Sequence, residues 1–164
     1  ENPDHYITAQ AVEAARWMAG GGRDYPEHFE AGLKPHSVAE RYYFARGPQL
    51  VNRIVDISET LEQKIDANVV NVSQGPAGEN GALLKKKLEK EGKYLTLLGD
   101  TDAQANRNYV KHFVLDMDSQ SLRGVPSDKE VGKHYQLEWA ERFHYIGASA
   151  STLPGYINEN AKKK

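Results

Sequence analysis

Apolar side chains recur with helical spacing at the start of the chain. After Pro3 they lie three or four residues apart, which predicts an amphipathic helix. These side chains are Ile7, Ala11, Ala14, Ala15 and Met18. Asn2 is a favourable N-cap, and Pro3 has the backbone angle of a first helical position. We expect this helix to end at the three glycines of residues 20–22.

A polar loop separates this helix from the first strand. Residues 23–36 contain proline, glycine and several charges, which favours irregular structure, although residues 27–31 could form one helical turn. Residues 40–45 then carry three consecutive aromatic side chains, and they predict a strand.

A second β-rich run, residues 53–57, leads directly into a predicted helix over residues 58–72. Asp56 and Glu59 have the spacing of a capping box at its start. The buried stripe of this helix comprises Ile57, Leu61, Ile65 and Val69. A strand that passes through an aspartate turn into a helix is typical of an α/β layer.

Two more helices are predicted in the second half of the chain. One covers residues 80–92, and a capping box at residues 127–130 opens another that ends at Gly147. The apolar stripe of this last helix comprises Val131, Tyr135, Trp139 and Phe143. Residues 94–98 fit a strand or a helix, and residues 112–115 fit a short strand or a helix end.

The chain reads as one domain over residues 1–148, followed by a loosely ordered tail over residues 149–164. Its 164 residues are enough for a real core, and a net charge of −2 gives no electrostatic case for nucleic acid or an anionic membrane. The absence of cysteine excludes disulfides and thiolate metal sites. With neither a long apolar run nor a signal peptide, we expect a cytoplasmic protein. Because the chain does not begin with Met, we expect it to start inside a longer polypeptide.

Common catalytic motifs are missing from the sequence. The glycines of residues 20–22 follow a helix instead of opening one, so they do not form a phosphate loop. Neither a nucleophile elbow nor a His-Glu-x-x-His zinc helix occurs.

A series of short segments carries a family resemblance. They are Pro3-Asp4-His5, Ala14-Ala15, Tyr25-Pro26-Glu27, Gly32-Leu33-Lys34-Pro35-His36-Ser37-Val38, Val55-Asp56-Ile57-Ser58, Lys64-Ile65, Ser73-Gln74 and Ala140-Glu141-Arg142-Phe143. Their order and spacing over residues 1–75 and the last predicted helix resemble the second half of the zinc-dependent N-acetylglucosaminyl deacetylases, the LmbE-like or PIG-L family. Residues 76–125 look like a family-variable insertion.

The resemblance implies a Rossmann-like three-layer α/β/α fold with a mostly parallel sheet, incomplete in this chain. It also implies Zn²⁺ as cofactor and an amino-sugar substrate from which an N-acetyl group is removed. Two zinc ligands of the family come from an early His-Pro-Asp-Asp-Glu motif, which this chain lacks. The expected partner is therefore the N-terminal half of the domain, from the same gene or a separate chain. A homo-oligomer is a further expectation.

The family also implies roles for individual residues. His5 matches the third zinc ligand, while the carboxylate base on the activated water belongs to the early motif. Asn2 stands where relatives carry a catalytic His; Asn can donate a hydrogen bond to an oxyanion but cannot act as an acid. Asp4 either orients a ligand or is simply favoured by the helix dipole. The expected substrate-binding residues are Arg23, Tyr25, His36 and Asn71, the last standing where several relatives have His.

Another class of function stays open. The chain could be a non-catalytic member of the same fold that binds a carbohydrate or a partner, because Asn2 replaces the catalytic His and two metal ligands are missing. Residues 1–164 alone are expected to be poorly stable, since half a sheet leaves an apolar edge and face uncovered.

Overall fold

The computed structural model describes residues 3–44, 49–73, 78–117, 124–147 and 152–162, and it shows a mixed α/β structure. The helices are α1 (Pro3–Ala19), α2 (Pro26–Glu30), α3 (Leu61–Val69), α4 (Asn80–Lys90), α5 (Asp102–Tyr109), α6 (Asp128–His134) and α7 (Leu153–Asn160). The strands are β1 (Arg41–Phe44), β2 (Arg53–Asp56) and β3 (Ala140–Ile146). None of the helices in these described ranges is long and apolar enough to cross a bilayer.

The chain divides into two compact units. One consists of residues 1–41 and 146–164, and the other of residues 42–145. The first unit therefore contains α1, α2 and α7, while the second contains the sheet and the remaining helices.

The helix α1 confirms the first sequence prediction. It ends where the glycines begin, because the N–H groups of Gly20 and Gly21 turn back to the carbonyls of Trp17 and Met18 at 3.2 and 3.0 Å. None of its residues is buried. Its exposed large apolar side chains are Tyr6, Ile7, Val12 and Trp17. The spacing gives the helix correctly, but its apolar stripe is not covered by the described residues.

The predicted tail contains α7. Pro154 occupies one of its first positions, where the missing N–H costs nothing, and Ala161 N donates to Ile157 O at 2.8 Å at its end. No residue of α7 is buried. This helix lies within residues 149–164, for which the sequence predicts a loosely ordered tail.

Three parts of the chain form most of the core of the second unit. They are α3, the helical segment Val110–Met117 that follows α5, and Trp139, which precedes β3. Its buried members are Ile57, Leu61, Ile65, Val110, Leu115 and Trp139, with Val55, Val69 and Val114 packed against them. The predicted stripe of the helix after β2 is thus confirmed. That helix begins later and ends earlier than expected, because Ser58–Thr60 forms a 3₁₀ turn and α3 ends at Val69.

The sheet differs from the expected mostly parallel arrangement. Its strand order is β1-β3-β2, and β2 runs antiparallel to β3, with Arg53 opposite Phe143 and Asp56 opposite Ala140. The central strand, β3, comes from the end of the unit and lies between two earlier strands. Among the described strands, a parallel Rossmann-like sheet is therefore wrong, and the coarser α/β class holds.

The last predicted helix stops early. The capping box of Ser127 and Glu130 is present, but α6 ends at His134, and residues 140–146 form β3. The chain leaves α6 through Gln136, whose φ is 61°. Leu137 N donates to Gly132 O at 2.8 Å and Gln136 N donates to Lys133 O at 3.3 Å, which is a Schellman ending.

The two ambiguous runs are also resolved. Thr96–Leu98 forms a 3₁₀ turn, and Val110–Met117 forms a π-helical continuation of α5. The predicted capping box of Asp56 and Glu59 does not form. Instead, Asp56 Oδ1 accepts hydrogen bonds from Ser58 N at 2.9 Å and Ser58 Oγ at 2.6 Å.

Candidate functional site

The first turn of α1 presents Asp4 and His5 to solvent. The helix begins at Pro3, and both side chains are exposed. A helix start leaves backbone N–H groups unpaired and carries partial positive charge, which favours Asp4 in this turn. Asn2, the predicted cap, lies outside the described residues. The predicted metal ligand is therefore accessible at a helix end.

His5 fits a metal site as one ligand of several. A catalytic zinc site takes three protein ligands and keeps one position open. Within the residues that the structure describes, no group of three or more His, Asp or Glu side chains is placed to hold a metal ion. A complete zinc site at His5 therefore requires ligands from outside these residues.

Two predicted substrate-binding residues meet at the opposite end of α1. Tyr25 and His36 both line a cavity of about 360 Å³ in the first unit. The last turns of α1 contribute Ala15, Met18 and Ala19 to its wall. His36 N donates to Ala19 O at 2.8 Å, which holds the returning chain against the end of the helix.

Tyr25 is held in an unusual backbone conformation beside this cavity. Its φ and ψ are 54° and 64°, in the left-handed region, and it directly precedes Pro26. That region is uncommon for a bulky residue, and proline further disfavours helical angles at the position before it. The ring stacks on His28 with centroids 5.4 Å apart and an interplanar angle of 19°. The stack and the turn together fix the ring at the cavity.

The length of α1 separates this cavity from His5. At a rise of ~1.5 Å per residue, the helix between His5 and Met18 is ~20 Å long. The structure thus brings Tyr25 and His36 together but does not bring them to His5. An acetamide group at His5 lies too far away to contact either side chain.

The other two predicted substrate-binding residues are not among those that line the cavity. Arg23 is exposed in the turn after α1, and it is not among the residues that line the cavity. Asn71 belongs to the second unit, where it is exposed just after α3 and its N–H donates to Asn68 O at 3.2 Å. Its observed contact is that of a helix end.

One charged cluster in the second unit was not predicted from the sequence. Lys64 Nζ on α3 lies 2.6 Å from Asp128 Oδ2 on α6 and also contacts Glu141 Oε1 on β3. Burial raises the pKa of Asp128, and the charge of Lys64 partly opposes that rise. Lys64 and Glu141 are 77 positions apart, so local spacing carries no signal of their contact. One cation shared by two carboxylates joins three elements.

A second polar junction lies at the end of β2. Ser58 Oγ donates to Asp56 Oδ1 and accepts a hydrogen bond from Trp139 N at 3.1 Å. Hydrogen bonds from the Ser58 side chain and backbone lower the pKa of Asp56 below its usual 3.8. The junction fixes the turn that links strand, helix and core, and its role is structural.

His112 lies in the π-helical segment together with Lys111 and Asp116. Burial lowers its pKa, with further lowering by the charges of Lys111 and Lys129, while Asp116 acts in the opposite direction. A neutral imidazole in this position packs within the fold. The side chain of His112 is half-buried.

Comparison with known proteins adds no identification. No protein-family profile matches the chain, and no solved structure matches it significantly. The candidate site therefore rests on two features of the first unit: the exposed start of α1 with Asp4 and His5, and the cavity at its far end.

Proposed function

We propose that the chain is the C-terminal part of a zinc-dependent hydrolase that removes an N-acetyl group from an N-acetylglucosamine-containing substrate. The observation that carries this proposal is the Pro3-Asp4-His5 turn, which opens a helix and exposes both polar side chains. The order and spacing of the family-like segments that follow it along the chain support the same family.

In this proposal His5 holds the metal through its imidazole, as the family motif implies. Zn²⁺ supplies the chemistry that an amide demands, by lowering the pKa of water and polarising the acetamide carbonyl. Asp4 lies in the same turn, where its carboxylate orients the neighbouring ligand or stabilises the helix start. Asn2 donates a hydrogen bond to the developing oxyanion, a contribution that requires no titration.

The remaining ligands and the carboxylate base come from an N-terminal half. The uncovered apolar side chains of α1 support this step, because a helix that buries none of its residues lacks the packing that normally stabilises it. Trp17, for example, is 76% exposed. We place the protein in the cytoplasm as part of the same proposal.

The structure also limits the substrate contacts that this proposal uses. Tyr25 and His36 lie ~20 Å along α1 from His5, so neither contacts the sugar ring whose amide is hydrolysed. Contacts to that ring therefore come from the start of α1 and from the N-terminal half.

The test uses the chain joined to the sequence that precedes it in its gene. His5→Ala is expected to lower bound zinc and to abolish release of acetate from N-acetylglucosamine conjugates, because one of three protein ligands is lost. Zinc is measured by elemental analysis and acetate by a coupled assay. His134→Ala serves as the matched control, since His134 is exposed on α6 in the second unit. Unchanged zinc and activity in His5→Ala would refute the proposal.

A non-catalytic binding member of the same fold is the second candidate. The replacement of a catalytic His by Asn2 favours it, because Asn cannot protonate a leaving amine. The residues encoded upstream discriminate between the two. A His-Pro-Asp-Asp-Glu motif there supports the enzyme, whereas a protein that binds N-acetylglucosamine without that motif and without acetate release supports the binding member.

A further inference from the structure

The cavity at the C-terminal end of α1 has the features of a small-molecule site. Its volume of about 360 Å³ lies within the ~300–1,000 Å³ typical of ligand pockets. Its walls come from a single continuous stretch, residues 15–36. No contribution from another unit or polypeptide is needed to form it.

The floor of the cavity is apolar and aromatic. Met18, Phe29 and Leu33 line it together with the stacked rings of Tyr25 and His28. Leu33 is 61% exposed and Tyr25 is 49% exposed, so the apolar wall opens to solvent. Such a surface favours a ligand with a flat apolar ring over a fully hydroxylated one.

Tyr25 supplies a second and independent observation. Left-handed angles at a non-glycine residue store backbone strain, and such strain is concentrated at binding sites and ligand clamps. Here the strained turn holds an aromatic ring at the mouth of the cavity, stacked on His28. Glycine adopts these angles at no steric cost, so tyrosine at this position keeps an aromatic ring beside the cavity in spite of the strain.

The polar groups of the wall select the charge of the ligand. Lys34 and His36 both line the cavity and are both exposed. The acidic side chain of the wall, Asp24, has its carboxylate against Gly21, so close that a Cβ at residue 21 would clash with it. The Asp24 carboxylate thus lies beside the turn after α1, while Lys34 supplies a cation to the wall and His36 supplies an imidazole ring.

We propose that this cavity binds a small molecule that combines an aromatic ring with an anionic group such as a carboxylate. The ring stacks beside Tyr25 over the apolar floor, and the anionic group pairs with Lys34 and His36. The site is distinct from the start of α1, since ~20 Å of helix lies between them. It does not depend on zinc or on the proposed hydrolysis.

The test titrates the complete gene product with benzoate, in the presence of EDTA, and follows the backbone amide resonances of Leu33, Lys34 and His36. Benzyl alcohol is the uncharged ligand control, and N-acetylglucosamine is the hydroxylated one. Benzoate is expected to shift these resonances saturably and to bind about threefold more tightly than benzyl alcohol, because an exposed ion pair contributes little more. An absence of saturable shifts with benzoate would overturn the proposal.

Three variants locate the binding. Tyr25→Gly removes the ring, relieves the backbone strain and is expected to weaken benzoate binding about tenfold. Lys34→Gln is expected to abolish the preference for benzoate over benzyl alcohol. Tyr156→Ala, at an exposed tyrosine of α7, is expected to bind benzoate normally.

Two outcomes separate this proposal from the proposed function. If His5→Ala weakens benzoate binding while Tyr25→Gly does not, the ligand binds at the start of α1, and the cavity proposal is wrong. If N-acetylglucosamine shifts the amide resonances of Leu33, Lys34 and His36 more strongly than benzoate, the cavity is a sugar site, and the aromatic carboxylate is excluded. Loss of deacetylation in His5→Ala leaves the cavity proposal unaffected.

Discussion

At the scale of a single residue, Ser58 joins the end of β2 to the start of β3. Its hydroxyl donates to Asp56 Oδ1 and accepts from Trp139 N, across 81 positions of sequence. Trp139 is only 2% exposed, so its backbone N–H depends on a protein acceptor. One hydroxyl therefore supports both a local turn and a distant contact of the core.

Ser58→Ala is expected to destabilise the protein by about 1–3 kcal/mol, because the buried N–H of Trp139 loses its acceptor. The pKa of Asp56 is expected to rise towards 3.8, since a donor to its carboxylate is removed. In the parent protein the pKa of Asp56 is depressed, so its stabilising effect is present above pH 3.8 and is lost as the pH falls through the lowered value. Urea denaturation and NMR titration of Asp56 measure the two effects.

Glu59→Ala is the matched control for that experiment. Glu59 is exposed, and the capping box predicted for it does not form. Its substitution is expected to change the free energy of unfolding by less than about 0.5 kcal/mol. A larger loss in Glu59→Ala than in Ser58→Ala would show that the capping box, and not the Ser58 junction, stabilises this turn.

At the scale of an element, the ending of α6 decides the topology of the sheet. Gly132 lies where the chain folds back over the helix, and a Cβ there would lie 2.7 Å from Glu138 O and 2.8 Å from Trp139 N. A side chain at this position would push the reversed segment away from α6. The close contact of Gly132 with Glu138 and Trp139 lets the chain fold back over α6 and continue into β3.

Gly132→Ala is therefore expected to destabilise the protein by about 1–3 kcal/mol, although alanine is the better helix former. Gly155→Ala in α7 is the opposite case, because among the described residues no heavy atom beyond the backbone of its own helix and its chain neighbours lies within 4 Å of the added Cβ. It is expected to stabilise its helix by about 0.5–1 kcal/mol. Thermal denaturation of both variants measures the difference, and equal effects would contradict the close approach at Gly132.

The sequence predicts those helices and strands that are specified by residues close together in the chain. The spacing of Ile57, Leu61 and Ile65 identifies the buried face of α3, and three adjacent aromatics identify β1. The end of α6 could not be predicted, because Gln136 takes the left-handed angle that usually signals glycine. The antiparallel pairing of β3 with β2 could not be predicted either, because it depends on contacts between residues far apart in the sequence.

The candidate site was predictable in part. Tyr25 and His36, which are predicted to bind the substrate together with Arg23, line one cavity, and Arg23 is not among its lining residues. Their separation from His5 follows from the length of α1, which the helix prediction already contained. The strain at Tyr25 carries no sequence signal, since Tyr-Pro normally predicts an extended residue before the proline.

At the scale of the whole molecule, burial is distributed unequally between the two units. The second unit has a cluster of buried apolar residues, whereas neither α1 nor α7 in the first unit buries any residue. Hydrophobic burial is the main favourable term in folding, so the first unit gains little from it in the described residues. This distribution fits a chain that is completed by further polypeptide.

Residues 1–164 expressed alone are accordingly expected to lack a cooperative, monomeric thermal transition. Exposed apolar side chains of α1 favour self-association, which sedimentation velocity detects, and they bind a dye such as ANS. Addition of the N-terminal half as a separate polypeptide is expected to raise the melting temperature and suppress dye binding. A sharp monomeric melt without the added half would contradict this expectation.

The position of β3 in the sheet also sets the order of events during synthesis. β1 and β2 lie on either side of a strand that is made more than 80 residues after them, and the Asn52 side chain pairs with both backbone groups of Tyr145 across 93 positions. At ~5–20 residues per second, the ribosome needs on the order of ten seconds to make the intervening chain. Through that interval the two strands have no central partner, so the sheet closes only as translation of the second unit ends.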